Sequence, residues 1–295
     1  MKFSSYCLTI ALGSLLSAAL AQGQNLFVAN FGSDVYEYTP GGVQSIFATG
    51  LVQATGLAFN SAGDLFVADA GSGNIYDYTP GGVQNTFATG ILLPNAIAFD
   101  SAGNLFVTSD SAGIIYKFTP GGVRSTFASG LNWPDGLAFD SQGNVFVADS
   151  SNDIIYKFTP GGVGANFASG TGAPAGLIFN SQGNLLDADW GSGNIYEFTS
   201  NGGSGTFASG LGVHGPQQLA FDSNGNLFES NDGSGFIYKF TPGGTRSTFA
   251  SGLPNAVGLA FQPIPEPSTW ALVGLGAIAL LTVRHPRPHR RSSTP

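Results

Sequence analysis

Two short segments of the sequence place a carboxamide and a carboxylate in the same local context, 40 residues apart. They read Pro94-Asn95-Ala96 and Pro134-Asp135-Gly136, so each polar residue lies between a proline and a small residue. Amide and carboxylate oxygens are ligands that Ca²⁺ and Mg²⁺ prefer in proteins. We predict that Asn95 and Asp135 bind a ligand or a divalent cation. The alternative is that each side chain bonds only to the backbone of its own loop.

Further acids stand at the ends of short apolar runs elsewhere in the chain. Asp69, Asp149 and Asp189 each end such a run. If these runs are equivalent strands of one repeated unit, their ends lie on one face of the fold. The sequence then predicts a ring of oxygen ligands on that face, in which Asp149 and Asp189 join Asp135 as candidate metal ligands.

Two acids interrupt apolar runs at a position where other copies carry valine. Asp187 and Glu229 both replace the residue that corresponds to Val147. A carboxylate on a normally buried strand needs a partner, or its pKa rises. We predict a paired acid site or metal site at Asp187 and Glu229. The alternatives are that the position is partly hydrated or that each acid bonds a neighbour.

Three ring-bearing side chains flank the polar residues. His214 lies in the one connecting loop that is two residues longer than its counterparts, where it would serve as a base or a ligand. Trp133 precedes Asp135 and Trp190 follows Asp189. The indoles would either cover the ends of the strands or stack on a bound sugar ring. All three are candidate binding residues.

The elements that must position these residues are six copies of one unit of about 40 residues. Each unit holds four apolar runs of β-branched and aromatic residues, bounded by Gly, Pro, Asn, Asp or Ser, which is typical of strands. Four short strands in each repeat predict the blade of a β-propeller. The phrase that marks the first strand of each unit recurs at steps of 40, 40, 40, 42 and 40 residues, as Gly56–Phe59, Ala96–Phe99, Gly136–Phe139, Gly176–Phe179, Gln218–Phe221 and Gly258–Phe261.

Six units over residues 22–264 predict an all-β fold, a six-bladed β-propeller of four-stranded blades. The first unit begins near Asn25 with its second strand, and the last unit ends at Phe261 after its first strand. We expect strand 258–261 to pair with the N-terminal blade, which leaves no open sheet edge. A partial ring or an open solenoid is the alternative. In a closed propeller the first strand begins, and the second ends, on one face.

The unit resembles NHL-type repeats and the related senescence-marker/gluconolactonase six-bladed propellers over residues 25–261. The segment Asp140–Asp149, a tight turn followed by an apolar strand and an Asp, carries this resemblance. In the gluconolactonase family an Asn and an Asp just before strands help to bind a divalent metal, and the Asp also acts as a base. The resemblance therefore implies a Ca²⁺ or other divalent cation at Asn95 and Asp135, with Asp135 as the catalytic residue. The sequence has no clear counterpart of that family's metal-binding Glu.

The charge distribution argues against a nucleic-acid partner. The chain has 10 Lys and Arg and 18 Asp and Glu, of which 5 cations and 17 acids lie in residues 22–264, so the central part carries 5 − 17 = −12. Phosphate binding needs a basic surface. The single cysteine, Cys7, lies outside the repeats and excludes a disulfide framework.

The two ends of the chain are predicted to be targeting segments. Residues 1–21 contain Lys2, an apolar stretch and Ala19-Leu20-Ala21, the three parts of a secretory signal peptide. Residues 265–295 begin with Pro265-Glu266-Pro267, continue with an uncharged run at 268–283, and end with an arginine cluster. A retained anchor is the alternative at either end.

The order of parts in residues 265–295 resembles the PEP-CTERM sorting signal of bacterial exported proteins. The resemblance implies recognition by an exosortase-type protease at Pro265, Glu266 and Pro267, and a membrane association that lasts until the tail is processed. We interpret the chain as an exported, envelope-associated propeller that binds a ligand, a protein or a polysaccharide, with a link to exopolysaccharide. The alternative is a divalent-metal-dependent hydrolase of lactonase type.

Overall fold

The structure, a computed structural model, describes residues 23–200, 203–212 and 214–264. These residues form 24 strands and one 3₁₀ turn at Ser150–Asn152. In chain order the strands are β1 (Leu26–Asn30), β2 (Val35–Tyr38), β3 (Gln44–Ala48), β4 (Ala54–Phe59), β5 (Leu65–Asp69), β6 (Asn74–Tyr78), β7 (Gln84–Ala88), β8 (Pro94–Phe99), β9 (Leu105–Ser109), β10 (Ile114–Phe118), β11 (Arg124–Ser129), β12 (Pro134–Phe139), β13 (Val145–Asp149), β14 (Ile154–Phe158), β15 (Gly164–Ser169), β16 (Pro174–Phe179), β17 (Leu185–Asp189), β18 (Asn194–Phe198), β19 (Ser204–Ala208), β20 (Pro216–Phe221), β21 (Leu227–Asn231), β22 (Phe236–Phe240), β23 (Arg246–Ala250) and β24 (Ala256–Phe261).

The described strands pair into six four-stranded antiparallel sheets, which confirms the predicted six-bladed propeller. Blade 1 has the order β24-β1-β2-β3, and blades 2 to 6 each take four consecutive strands, beginning with β4, β8, β12, β16 and β20. The last strand closes the ring, because Val28 of β1 pairs with Leu259 of β24. Closure removes the edge that an incomplete first blade would expose. The expected pairing of strand 258–261 with the N-terminal blade is thus confirmed.

The apolar core lies between successive blades, and one repeated set of aromatic contacts explains why the repeat folds this way. Phe27 in β1 packs edge-to-face against Phe47 of its own blade and Phe59 of the next, with ring centroids 4.9 and 5.1 Å apart. The set recurs around Phe66, Phe106, Phe146 and Phe228. Edge-to-face pairs at these distances are favourable. In five of the six blades a phenylalanine of the second strand therefore joins the blade to its neighbour, and in blade 5 the buried Leu186 takes this position.

The turns after the first and third strands lie on the face opposite the chain entry to the first strand. In blade 4 the Asp140 carboxylate accepts the backbone N–H groups of Gln142 and Asn144, both at 2.9 Å. This side-chain bonding of a turn is the property for which Asp is favoured there. Because the turns occupy one face, the ends of the second strands and the starts of the first strands are left together on the other face.

The predicted targeting segments fall outside the described residues. The signal peptide at 1–21 therefore stays a prediction, as do the uncharged span at 268–283 and the roles of Pro265, Glu266 and Pro267 in the tail. Among the described residues, no helix has the length and apolar character needed to span a membrane.

Candidate functional site

A cavity of about 580 Å³ opens at the centre of the face where the innermost strands begin, and all six blades contribute to it. We call it the channel-mouth pocket. The second residue of each innermost strand forms one ring of its lining: Thr55, Asn95, Asp135, Ala175, Gln217 and Val257. The residue that follows the second strand of each blade forms another: Phe31, Ala70, Asp110, Ser150, Trp190 and Asp232.

One repeated backbone hydrogen bond fixes the second of these rings. The N–H of Asp110 donates to the carbonyl of Leu93 at 3.1 Å, and the N–H of Trp190 donates to that of Ala173 at 3.0 Å. The equivalent bond is present in the other four blades. Because this bond holds the backbone of the second ring in the same way in each blade, the blades differ at these six positions mainly in their side chains. The pocket is therefore the place where the repeats diverge.

The acids that end the second strands fasten loops and do not line the pocket. Asp69 accepts the backbone N–H groups of Gln53 and Val52 at 2.7 and 3.1 Å. Asp149 accepts the N–H of Asn132 at 2.9 Å and the side-chain amide of Asn152 at 3.0 Å. Asp189 accepts the N–H groups of Ala173 and Ser192 at 3.0 and 2.6 Å. Each carboxylate is buried and has both oxygens in use, so the structure does not bring Asp149 and Asp189 together as the predicted ring of ligands.

Asn95 and Asp135 do come together, and Asp110 joins them. The side-chain amide of Asn95 donates to Asp135 Oδ1 across the boundary between blades 3 and 4. The same amide donates to Asp110 Oδ2 at 3.0 Å. The second oxygen of Asp110 is buried and has no hydrogen-bond partner. We call these three side chains the acid–amide cluster.

Sequence reasoning missed Asp110, although a signal for it exists. The ligands predicted at the strand ends are the last residues of the second strands, whereas the residue after each of them lines the pocket. The next position varies strongly between blades, from phenylalanine through alanine, serine and tryptophan to aspartate. In a chain whose repeats are nearly identical, a position that diverges between blades is one expected to line a site.

Burial shifts the titration of the cluster. It raises the pKa of Asp110 to about 9, with a further increase from the nearby Asp135 and a decrease from the Asn95 hydrogen bond. Burial likewise raises the pKa of Asp135 to about 6, against the lowering effect of Asn95. The two carboxylates titrate as a pair, so near neutral pH the cluster holds one proton. A perturbed pair of this kind in a cleft marks a candidate functional site.

Asp187 and Glu229 lie in separate interfaces between blades and do not form a pair with each other. Asp187 stands opposite Leu177, whose side chain packs between blades 4 and 5. Glu229 stands opposite Leu219, which packs between blades 5 and 6. Both acids are fully buried, at 0% exposure. The predicted paired site is therefore not assembled from these two residues.

The two buried acids differ in their hydrogen bonding. Glu229 accepts one bond, from the side-chain amide of Asn231 at 3.1 Å, and its other oxygen has no partner. Neither oxygen of Asp187 has a hydrogen-bond partner, although the backbone amide of Ala175 lies close enough to favour the charged form slightly. Burial raises the pKa of Asp187 well above its ordinary value, with a smaller contribution from Asp189. Burial raises the pKa of Glu229 from 4.5 to about 8.

The predicted ring-bearing residues lie at the rim of the pocket. Trp133 lines it and is 46% exposed, and its backbone has φ 66°, a conformation that costs a non-glycine residue on the order of 1 kcal/mol. Trp190 also lines it and is stacked on His214, with ring centroids 3.9 Å apart. His214 is exposed and is not among the pocket residues, so its contact with the site runs through Trp190.

The fold and this geometry can be compared with known proteins. Residues 50–165 match the sequence model of the family described as SMP-30/gluconolactonase/LRE-like region, and this range contains the whole acid–amide cluster. Residues 263–287 match the PEP-CTERM protein-sorting motif. The chain carries a gluconolactonase-like region and a PEP-CTERM sorting motif. The resemblances to the gluconolactonase-like propellers and to the PEP-CTERM signal are thus confirmed, and the resemblance to NHL-type repeats stays a prediction.

The sorting motif also establishes the destination of the protein. PEP-CTERM motifs are recognised by exosortase, a membrane protease, and direct export through the membrane to the envelope or the surface. The protein is therefore an exported envelope protein.

Solved structures show the same fold at low sequence identity. The chain aligns with a protein in the nidogen/laminin complex at a TM-score of 0.74 and 18% identity, covering 83% of this chain and 100% of that one. It aligns with a putative gluconolactonase at a TM-score of 0.64 and 17% identity, covering 72% and 82%. It aligns with virginiamycin B lyase from Staphylococcus aureus at 0.62 and 15%, covering 79% and 85%. No curated protein sequence matches the chain significantly.

The donor set for a metal ion is incomplete as the side chains lie. Within the described residues, no group of three or more His, Cys, Asp or Glu side chains is arranged to hold a metal ion. The acid–amide cluster supplies two carboxylates, but Asn95 turns its NH₂ group toward both of them. Rotation of that amide would present Oδ1 instead, giving three oxygen ligands of the kind that Ca²⁺ accepts.

Proposed function

We propose that the propeller is an exported binding module that holds a saccharide of the extracellular matrix in the channel-mouth pocket. The observation that carries the proposal is the exposed indole of Trp133 beside the acid–amide cluster in a single cavity. An aromatic face packs on the C–H face of a sugar ring, while carboxylates and amides accept and donate hydrogen bonds to its hydroxyls. An indole beside carboxylate and amide groups favours a ligand that is apolar on one face and carries hydroxyl groups at its edge.

The size and position of the pocket support the same proposal. A volume of about 580 Å³ lies within the range of small-molecule sites, roughly 300–1,000 Å³. The pocket spans residues from every blade, which permits contacts on all sides of one or two sugar units. An exported envelope protein is located where extracellular polysaccharide is available to bind.

Trp133→Ala is expected to weaken binding of oligosaccharides from the host's exopolysaccharide at least about tenfold, which corresponds to about 1.4 kcal/mol. The loss arises because the indole offers the largest exposed apolar surface at the rim. Titration calorimetry on the purified protein measures the effect. Val163→Ala is the control, since Val163 is 72% exposed beside a turn on the opposite face. Equal affinity of the Trp133 variant and the wild type would remove the basis of the proposal.

A metal-dependent lactonase-like hydrolase is a second candidate function. The contact between Asn95 and Asp135, inside the range that matches the gluconolactonase-like family, favours it. In this function a divalent cation held by the cluster would polarise the lactone carbonyl, and Asp135 would take a proton from the attacking water.

The hydrolase is expected to require both the cation and Asp135. Added Ca²⁺ should raise the Tm of the purified protein, EDTA should reverse that rise, and Asp135→Asn should lower any lactone hydrolysis at least about 100-fold, the typical contribution of a general base. Gln217→Ala, a change at the equivalent position of blade 6, is the control for general disturbance of the pocket. Absence of both a Tm shift and hydrolysis with a panel of lactones would exclude this function.

A further inference from the structure

The channel-mouth pocket is negatively charged and has no cationic side chain in its lining. Among the described residues, Asp110, Asp135 and Asp232 line it, and none of the lining residues is Lys, Arg or His. The acids of the pocket therefore have no internal counter-ion. A saccharide that is neutral would leave this imbalance in place.

The cations of the propeller are engaged elsewhere. Lys117 and Lys157 pair with Asp100 and Asp140 at 3.6 and 3.4 Å, at the turns on the opposite face. The remaining three cations of the described residues lie over aromatic rings of second and third strands, at 5.2 to 5.3 Å from the centroids: Lys239 over Phe228, Arg124 over Tyr116 and Arg246 over Tyr238. To reach the pocket, any of these cationic side chains would have to break its salt bridge or its contact with an aromatic ring.

Asp110 supplies the most specific sign that a donor is missing. Its side chain is 9% exposed and lines the pocket. One oxygen accepts the Asn95 amide at 3.0 Å, whereas Oδ1 is buried without a hydrogen-bond partner. A buried polar oxygen without a partner is costly. An ammonium group would replace the one proton that Asp110 and Asp135 hold near neutral pH, so that both acids are ionised in the complex. The pocket thus offers an acceptor that a ligand with N–H donors would satisfy.

The rim has the composition that favours an organic cation. Trp133 and Phe31 are 46% and 45% exposed, and Trp190 lines the same mouth with its ring supported by His214. Aromatic faces attract ammonium groups, and aromatic rims with nearby carboxylates bind amines. Such rings give a metal ion no oxygen ligands, so they distinguish an amine from a divalent cation.

We propose that the ligand of the channel-mouth pocket carries a primary ammonium group, which donates to Asp110 Oδ1 and Asp135 while its ring packs against Trp133. The inference rests on the proposed saccharide function and narrows it to amino sugars with a free amine. The three donors of an ammonium group match the unpaired acceptor of Asp110 and the adjacent carboxylate. Acetylation of the amine would remove the charge and place a bulky group against the cluster.

Calorimetric titration of the purified protein with glucosamine, N-acetylglucosamine and glucose tests the inference, because these sugars differ at one substituent. Glucosamine is expected to bind at least about tenfold more tightly than the other two at low ionic strength, with the preference reduced by salt. Asp110→Asn is expected to abolish the preference. The variant should fold, since alanine and serine stand at the same position in blades 2 and 4.

Asp222→Asn is the matched control and should retain the preference. Asp222 lies in a turn on the opposite face, and blade 5 carries Asn180 in the same role, where it accepts two backbone N–H groups at 3.0 and 2.9 Å. Its loss of the preference together with the Asp110 variant would attribute the effect to net charge and overturn the inference.

Cyclohexylamine, a ring-bearing amine without hydroxyls, separates this inference from the proposed function. Equal binding of all three sugars would overturn the amine inference and leave the saccharide function intact. Binding of cyclohexylamine without binding of any sugar would support the amine site and overturn the saccharide function. Binding of neither amine overturns the inference, and binding of Ca²⁺ in that case would identify the cation as a metal ion.

Discussion

Asp187→Val is expected to raise the free energy of unfolding by several kcal/mol at pH 8, and by much less at pH 4. The equivalent position in blades 1 to 4 is a fully buried valine, at 0% exposure: Val28, Val67, Val107 and Val147. Asp187 is buried to the same degree, and neither of its carboxylate oxygens has a hydrogen-bond partner. Replacement of a buried unpaired acid by an apolar residue of similar size removes a desolvation penalty and adds apolar contacts.

The pH dependence follows from the direction of the pKa shift. An acid whose pKa is raised by folding binds its proton more tightly in the folded state than in the unfolded chain. Its contribution to stability is therefore retained at low pH and declines as pH rises from the unfolded pKa toward the folded one. For Glu229 this window runs from 4.5 to about 8. For Asp187 it begins at 3.8 and extends upward, since burial raises its pKa well above that value.

Urea unfolding of the wild type and variants between pH 4 and pH 9 measures the effect. The wild type should lose stability across this range, the Asp187→Val protein should lose less, and Glu229→Gln should remove the part between pH 4.5 and 8. Asp187→Asn is the matched control, because it removes the charge and keeps an unpartnered polar group. A wild type that becomes more stable as pH rises to 8 would show that the buried acids do not behave as described.

Gly136→Ala is expected to destabilise the propeller by about 3 kcal/mol or more, the upper range for overpacking a core position. A Cβ at this position would lie 1.9 Å from the carbonyl oxygen of Ala175 on the neighbouring innermost strand. The same close approach of adjacent innermost strands occurs at Gly56, Gly176 and Gly258, with distances of 2.2, 2.4 and 2.0 Å. Backbone atoms cannot yield as a flexible side chain would, so the strands must separate.

Gly205→Ala is the control for that substitution. Gly205 lies in the outer strand of blade 5, and a Cβ there would meet no atom within 4 Å. Loss of glycine in an open strand position is neutral or slightly stabilising. Thermal unfolding followed by circular dichroism should show a large fall in Tm for Gly136→Ala and little change for Gly205→Ala. Similar Tm values for both variants would mean that the innermost strands do not pack as closely as the structure places them.

The fold was predictable from the sequence because the same pattern of four strands and their turns recurs six times. Each strand is short, each turn has its own chemistry at residues such as Asp140 and Pro160, and the step between copies is nearly constant. Closure was predictable from the missing first strand of the first unit and the lone strand at the end. The contact of Asn95 with Asp135 was also predictable, since equivalent positions of adjacent blades must be neighbours around the central channel.

The remaining features of the site depend on distances that the sequence does not contain. Asp149 and Asp189 were predicted as ligands. Side chains of consecutive strand residues point to opposite sides, so the last residue of the second strand is buried and bonds a loop, whereas the residue after it lines the pocket. Asp187 and Glu229 occupy equivalent positions, but equivalent positions on second strands face different interfaces between blades. The stacking of His214 on Trp190 depends on the path of the longer loop, and the other repeats have no loop of that length from which the path could be predicted.

A crystal structure of the protein with an oligosaccharide from its host's exopolysaccharide tests the central claim most directly. The account predicts density for a sugar unit in the channel-mouth pocket, with its ring against Trp133 and a polar substituent within hydrogen-bond distance of Asn95, Asp110 or Asp135. Density for the oligosaccharide elsewhere on the protein, for example in the groove lined by Gln142 and Asn180 on the opposite face, with an empty pocket, would contradict it.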